Sequence, residues 1–182
     1  MNVQILGPTK RNARVIKFFE QRGDVVSARE DLSTKVDADY LISNGFASIL
    51  KKPLIREYTG RIINIHNAFC PYGRGIYPNL WCLRDGYPIG VTVHLIDKGI
   101  DTGPILARRE ISLSEDATLE TMYKRLCDAS EDLFFSIWDD FIAGKITTTP
   151  QSNTDIYHSR AKSETLLATL PMRWDTPISY FK

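Results

Sequence analysis

Arg61-Ile62-Ile63-Asn64-Ile65-His66 is the stretch that decides the fold. Its apolar run, Ile62, Ile63 and Ile65, has the length of a strand buried on both faces, as in a sheet covered by helices. Asn64 and His66 stand two apart in it, so their side chains leave the strand on one face and can address one ligand group together.

Upstream, Val3-Gln4-Ile5-Leu6 is a β-prone run ending at Gly7-Pro8, and Ala13 to Gln21 carries Val15, Ile16, Phe18 and Phe19 at helical spacing. Further strands are expected at Asp24 to Ala28 and Tyr40 to Ser43, the latter passing through Asn44-Gly45 into a short helix around Phe46 to Leu50. Downstream, Pro71 to Pro78 reads as a loop that leads into a helix from Asn79 to Asp85. Gly90 to Ile96 and Ile105 to Ile111 read as strands on either side of the loop Asp97 to Pro104. A long helix is expected over Thr118 to Ala143, with start signals from Ser114 to Glu120 and Gly144 as its C-cap. Strands alternating with helices imply right-handed parallel crossovers. The expected fold is therefore α/β and Rossmann-like: a mostly parallel twisted sheet flanked by helices, in a single domain. Its body covers residues 1–150, and the polar, proline-marked residues 151–182 form a C-terminal extension that packs on the body or is partly mobile.

The chain has 182 residues, 43% hydrophobic and 25% charged, enough to bury a core without staples. With 23 basic and 22 acidic residues the net charge is +1, which provides no global attraction for nucleic acid or anionic membrane. Cys70, Cys82 and Cys127 lack the spacing of a zinc site or a disulfide framework, so reduced thiols and a cytoplasmic location are expected. No signal-peptide pattern and no membrane-length apolar stretch is read, and no metal is expected.

Ligands of open α/β sheets bind in the crevice outside the carboxyl ends of the strands. His66 and His94 lie at or near strand ends, and Asp101 lies in the loop Lys98-Gly99-Ile100-Asp101-Thr102-Gly103. An amide that donates a hydrogen bond and an imidazole that exchanges a proton near neutral pH are what acyl transfer requires. A carboxylate beside the imidazole raises its pKa and fixes its orientation, and Asp101 is the best candidate. Singly, each residue also admits an ordinary role: aspartates serve glycine-rich turns, and strand histidines are usually satisfied in cores.

Together these residues carry a resemblance. Ile63-Asn64-Ile65-His66, Pro71 with Arg74-Gly75, Gly90-Val91-Thr92-Val93-His94, and Asp97 to Gly103 with Ile105-Leu106 resemble, in order, the signature of the folate-dependent formyltransferases. That family includes glycinamide ribonucleotide formyltransferase, the N-terminal domain of methionyl-tRNA formyltransferase, sugar-nucleotide N-formyltransferases and the formylation domain of some peptide synthetases. The resemblance implies a metal-free reaction in which 10-formyltetrahydrofolate donates its formyl group. It implies that Asn64 polarises the formyl oxygen, that His66 is the general acid/base or stabilises the tetrahedral intermediate, and that Asp101 supports the imidazolium. His94 is implied to buttress the site. The folate pocket is implied to fall on Phe46, Ile49 and Leu50, and on Ile96, Asp97, Lys98, Gly99 and Ile100.

For the acceptor, the first loop reads Gly7-Pro8-Thr9-Lys10-Arg11-Asn12, which departs from the glycine-rich phosphate loop of the glycinamide ribonucleotide branch. Tyr77-Pro78-Asn79-Leu80-Trp81 instead resembles the small sugar formyltransferases and the peptide-synthetase formylation domain. The expected acceptor is a small-molecule amine, an amino sugar on a nucleotide, contacted by Lys10, Arg11, Tyr72, Arg74, Tyr77, Asn79 and Trp81. The alternatives are formylation of glycinamide ribonucleotide and an inactive folate-binding module. A tRNA acceptor is not expected, since little foldable sequence follows Ala143 and no basic surface is evident. A homodimer stays open.

Overall fold

The computed structural model describes residues 1–152 and 157–181; residues 153–156 and 182, part of the tail read above as an extension, lie outside the described residues. The chain runs β1 (Asn2–Leu6), α1 (Ala13–Gln21), β2 (Val25–Arg29), β3 (Tyr40–Ser43), α2 (Lys52–Glu57), β4 (Ile62–His66), β5 (Arg74–Gly75), α3 (Pro78–Asp85), β6 (Gly90–Leu95), β7 (Ile105–Glu110), α4 (Leu119–Ile142), β8 (Tyr157–His158) and α5 (Arg160–Thr169). The main sheet has the order β2-β1-β3-β4-β6-β7. Its first four strands are mutually parallel, so the sheet is mostly parallel and Rossmann-like. The alternation of strands and helices does not hold to the edge, where β6 and β7 add antiparallel. Because β6 starts beside the end of β4, residues 67–89 stay at the carboxyl end of the parallel strands.

β4 is buried on both faces because its side chains alternate between two apolar clusters. Ile63 and Ile65 join the large cluster under α1 and α4, with Phe19, Phe134 and Trp138. Ile62 faces the smaller cluster with Leu41, Leu50 and Tyr58. Asn64 and His66 have the parity of Ile62, so they leave the sheet on the side away from α4. Around Trp138 the rings of Phe19 and Tyr40 stand edge-on at 5.0 and 5.3 Å. Such pairs contribute about 0.5–1.5 kcal/mol beyond the area they bury.

One local reading is corrected, and the tail has more structure than its composition suggests. Residues 46–50 form an irregular loop, and the helix begins later, at Lys52. Pro53 suits a first helical turn, where its missing N–H would be unpaired in any case, while Phe46 and Leu50 pack on the smaller cluster. The tail is not without pattern either. Ser159 caps α5, whose Leu167, with Leu170 and Ile178, enters the main cluster. The tail also holds the start of α4, where the Leu119 N–H donates to the Thr176 carbonyl at 3.0 Å. Thr118 and Thr121 form a reciprocal capping box there. At the other end, the N–H groups of Gly144 and Lys145 donate to the carbonyls of Phe141 and Asp140, the Schellman pattern, with Gly144 left-handed at φ 67°.

Candidate active site

The register of β4 and β6 builds the site, because it places Asn64 directly opposite His94. The loop after β6 then brings Asp101 to both. Asp97 shapes that loop by accepting hydrogen bonds from the Gly99 N–H (3.0 Å) and the Thr102 hydroxyl (2.6 Å). Asp101 itself is left-handed at φ 53°, a region aspartate tolerates better than most residues.

The hydrogen bonds define the protonation pattern. Nδ1 of His94 donates to the Leu95 carbonyl at 2.8 Å, which leaves Nε2 as the lone-pair nitrogen of a neutral ring. Burial pushes the His94 pKa down, against the opposing pull of Asp101. Nδ2 of Asn64 donates to His94 Nε2 at 3.1 Å and to Asp101 Oδ1 at 3.2 Å. A neutral His94 thus fixes which way the Asn64 amide faces.

The other oxygen of Asp101 accepts the Gly75 N–H at 3.0 Å and lies 3.8 Å from Nε2 of His66. Nε2 of His66 donates to the Gly73 carbonyl at 3.2 Å. Burial acts to raise the Asp101 pKa, but the attraction of His66 and His94, the Gly75 N–H and Arg74 outweighs it and holds the carboxyl below its usual range. The centre is therefore an ionised carboxylate between two imidazoles, with an amide donor beside it.

Asn64, His66, His94 and Asp101 open into a cavity of about 970 Å³, the size of a small-molecule or cofactor site. All eight residues expected for the folate pocket line it: Phe46, Ile49, Leu50, Ile96, Asp97, Lys98, Gly99 and Ile100. Ile49, 76% exposed, is one of them. Of the expected acceptor residues, Arg11, Tyr77 and Asn79 line the cavity.

The structure does not bring the other four to its lining. Lys10 is exposed on the first turn. Tyr72 stacks on Tyr87 with ring centres 4.7 Å apart. Arg74 is buried, with Nη2 donating to Gln151 Oε1 and the Ser152 carbonyl, and its charge acts on Asp101 from behind. Trp81 is buried against the tail, as its apolar bulk in a helix favours. Arg11 itself is turned inward, donating to the Tyr123 hydroxyl, Cys127 Sγ and Asn44 Oδ1. Sequence reasoning missed Tyr123, Tyr157, Arg160 and Trp174, which also line the cavity. The signal available was aromatic and basic residues in an otherwise polar tail for Tyr157, Arg160 and Trp174; Tyr123 fits the helical spacing of α4 and carries none.

Comparison with known proteins identifies the family. A model of the formyl transferase family matches residues 7–137, and the chain belongs to that family. It is similar to the formyltransferase PseJ of Anoxybacillus kamchatkensis, whose crystal structure is a complex with UDP-4,6-dideoxy-4-formamido-L-AltNAc and tetrahydrofolate. The two are 35% identical with a TM-score of 0.90, covering 98% of this chain and 96% of that one. Methionyl-tRNA formyltransferase of Thermodesulfovibrio yellowstonii is 32% identical over 130 residues, 71% of this chain and 42% of that protein. A dTDP-4-amino-4,6-dideoxyglucose formyltransferase of Mycobacterium bovis is 37% identical over 87 residues, 48% of this chain and 37% of that protein. The chain thus spans about two fifths of the length of these curated relatives. Among the described residues no cluster of His, Cys, Asp or Glu is arranged to hold a metal ion, and no helix is long and apolar enough to cross a membrane.

Proposed function

We propose that this protein transfers a formyl group from 10-formyltetrahydrofolate to the amino group of an amino sugar carried on a nucleotide. The observation that carries the reading is that Asn64, His66 and Asp101 open into one cavity whose lining includes both apolar side chains and aromatic and basic ones. The apolar lining, with Phe46, Leu50, Ile55 and Ile96, suits a flat heterocycle, and the irregular backbone of residues 44–51 and 96–102 suits its polar edge. Tyr77, Tyr123, Tyr157 and Trp174 suit a base or sugar, and Arg160 suits a diphosphate.

Bound 10-formyltetrahydrofolate supplies the transferable one-carbon unit. The residues supply the rest. An N–H of Asn64, turned from Asp101 Oδ1, donates to the oxygen that gains negative charge as the amine adds. Because Nε2 of His66 already carries a proton, Nδ1 is the ring nitrogen that takes the proton the amine loses and returns it to the departing nitrogen, and Asp101 stabilises the imidazolium formed on the way. His94 keeps the Asn64 amide nitrogen facing inward.

The similarity to PseJ over nearly the whole of both chains supports a nucleotide-linked amino sugar as acceptor. The net charge of +1 argues against tRNA, whose binding depends on neutralising many phosphates. Three free cysteines, two of them buried, suit a cytoplasmic enzyme. A competition assay decides the acceptor. UDP- or dTDP-linked 4-amino sugars should be formylated in preference to glycinamide ribonucleotide; equal or faster transfer to glycinamide ribonucleotide would contradict the assignment.

A further inference from the structure

Residues 73–76 carry two backbone groups that hold catalytic side chains. The Gly73 carbonyl accepts from His66, and the Gly75 N–H donates to Asp101. A segment with glycine at both positions is conformationally free, so something else must set it.

What sets it is the tail, beyond the residues matched by the family. β8 pairs with β5 in parallel, with Gly75 beside His158, and the Ile76 N–H donates to the His158 carbonyl at 3.0 Å. The fit admits no side chain: a Cβ on Gly75, whose φ is 97°, would stand 2.2 Å from that carbonyl oxygen. The His158 ring in turn stacks on Trp81, 3.7 Å away and within 3° of parallel. Trp81 Nε1 donates to the hydroxyl of the fully buried Ser163 at 2.8 Å, and that hydroxyl donates to the Ile76 carbonyl at 2.7 Å. Both backbone groups of Ile76 are thus held by the tail.

The geometry points to Trp81, His158 and Ser163 as a clasp that positions the 73–76 segment and, through the Gly73 carbonyl and the Gly75 N–H, positions His66 and Asp101 for catalysis. Trp81 is then a positioning residue and not a stacking surface for substrate. The kinetic side of this inference rests on the formyl-transfer reading; the structural side does not.

Ser163→Ala removes both hydroxyl bonds, and His158→Ala removes the stack while sparing the backbone. Neither side chain lines the cavity. Amide exchange at Gly75, followed by NMR, should speed up by about tenfold or more in each variant. The kcat should fall about tenfold or more, as small misplacements of catalytic groups do. The KM for the formyl donor should stay within about twofold, the sign of an interaction made only in the transition state. In an Asp101→Asn background the same substitutions should cost much less, because the positioned carboxylate is already gone.

Unchanged exchange at Gly75 would overturn the clasp whether or not the wild type transfers formyl. A raised KM at unchanged kcat, or an undiminished loss in the Asp101→Asn background, would overturn its positioning role. If Gly75 responds but the wild type formylates no amine, the formyl-transfer reading fails and the structural clasp stands. Should Ser163→Ala not fold, His158→Ala carries the test.

Discussion

Nε2 of His66 stands 3.8 Å from Oδ2 of Asp101, within reach of an ion pair but with the Gly73 carbonyl, at 3.2 Å, taking its proton. The backbone carbonyl therefore orients the imidazole while the carboxylate stands close enough to stabilise its charge.

Removal of any member of this centre should lower turnover without unfolding the protein. His66→Ala and Asp101→Ala are each expected to lower kcat by about 100-fold or more, and Asn64→Ala by a similar factor. Steady-state rates, with circular dichroism on the same samples, check this. Near wild-type turnover in the His66 or Asp101 variant would mean that the roles are misassigned.

His94 should make stability depend on pH. Its folded pKa lies below the unfolded value of 6.5, with burial as the main cause. The unfolded state therefore binds the extra proton first, so stability is full above about 6.5 and declines as pH falls from there toward the folded pKa. Urea unfolding of the wild type and His94→Gln between neutral pH and pH about 5 should show a flatter profile in the variant. Identical slopes would contradict it.

The three thiols should differ in reactivity. Burial pushes Cys70 and Cys82 up to about 12, so almost no thiolate forms at either near neutral pH. Cys127 is only half-buried. A chromogenic thiol reagent should titrate a single cysteine, Cys127, in the native protein and all three after denaturation. Rapid native reaction at Cys70 or Cys82 would contradict the packing around β4 and α3.

Arg11 should matter for stability. Its attraction to Cys127, Tyr123 and Glu131 outweighs burial and keeps the guanidinium charged. Arg11→Ala removes the donor to Asn44 Oδ1 and the Tyr123 hydroxyl, while Cys127 Sγ keeps the Asn67 amide, at a cost of about 1–3 kcal/mol. Thermal and urea unfolding check this; an unchanged midpoint would mean that the cluster contributes nothing.

The parts of this architecture that were legible in the sequence are those governed by local period. Ile62, Ile63 and Ile65 declare a doubly buried strand, and the spacing of two between Asn64 and His66 places both on one face. The loop from Asp97 to Gly103 is legible through its glycines. The convergence of that loop on Asn64 became legible only through the ordered family motifs, because period says nothing about which loop folds across which strand. The clasp was not legible at all. Trp81 and Ser163 lie 82 residues apart, and the pairing of β8 with β5 involves two residues on each side, too few to leave an alternating pattern. The same limit explains Phe46 to Leu50, whose apolar residues serve a cavity wall and a small core without forming a helix.

The most direct measurement follows an isotopically labelled formyl carbon from 10-formyltetrahydrofolate into a UDP- or dTDP-linked 4-amino sugar by mass spectrometry, with wild type and Asp101→Asn side by side. Labelled formamide on the sugar with the wild type, and about 100-fold less with the variant, is the predicted result. No labelled sugar with the wild type, or equal labelling with both proteins, would contradict the assignment of Asn64, His66 and Asp101 as a formyl-transfer centre.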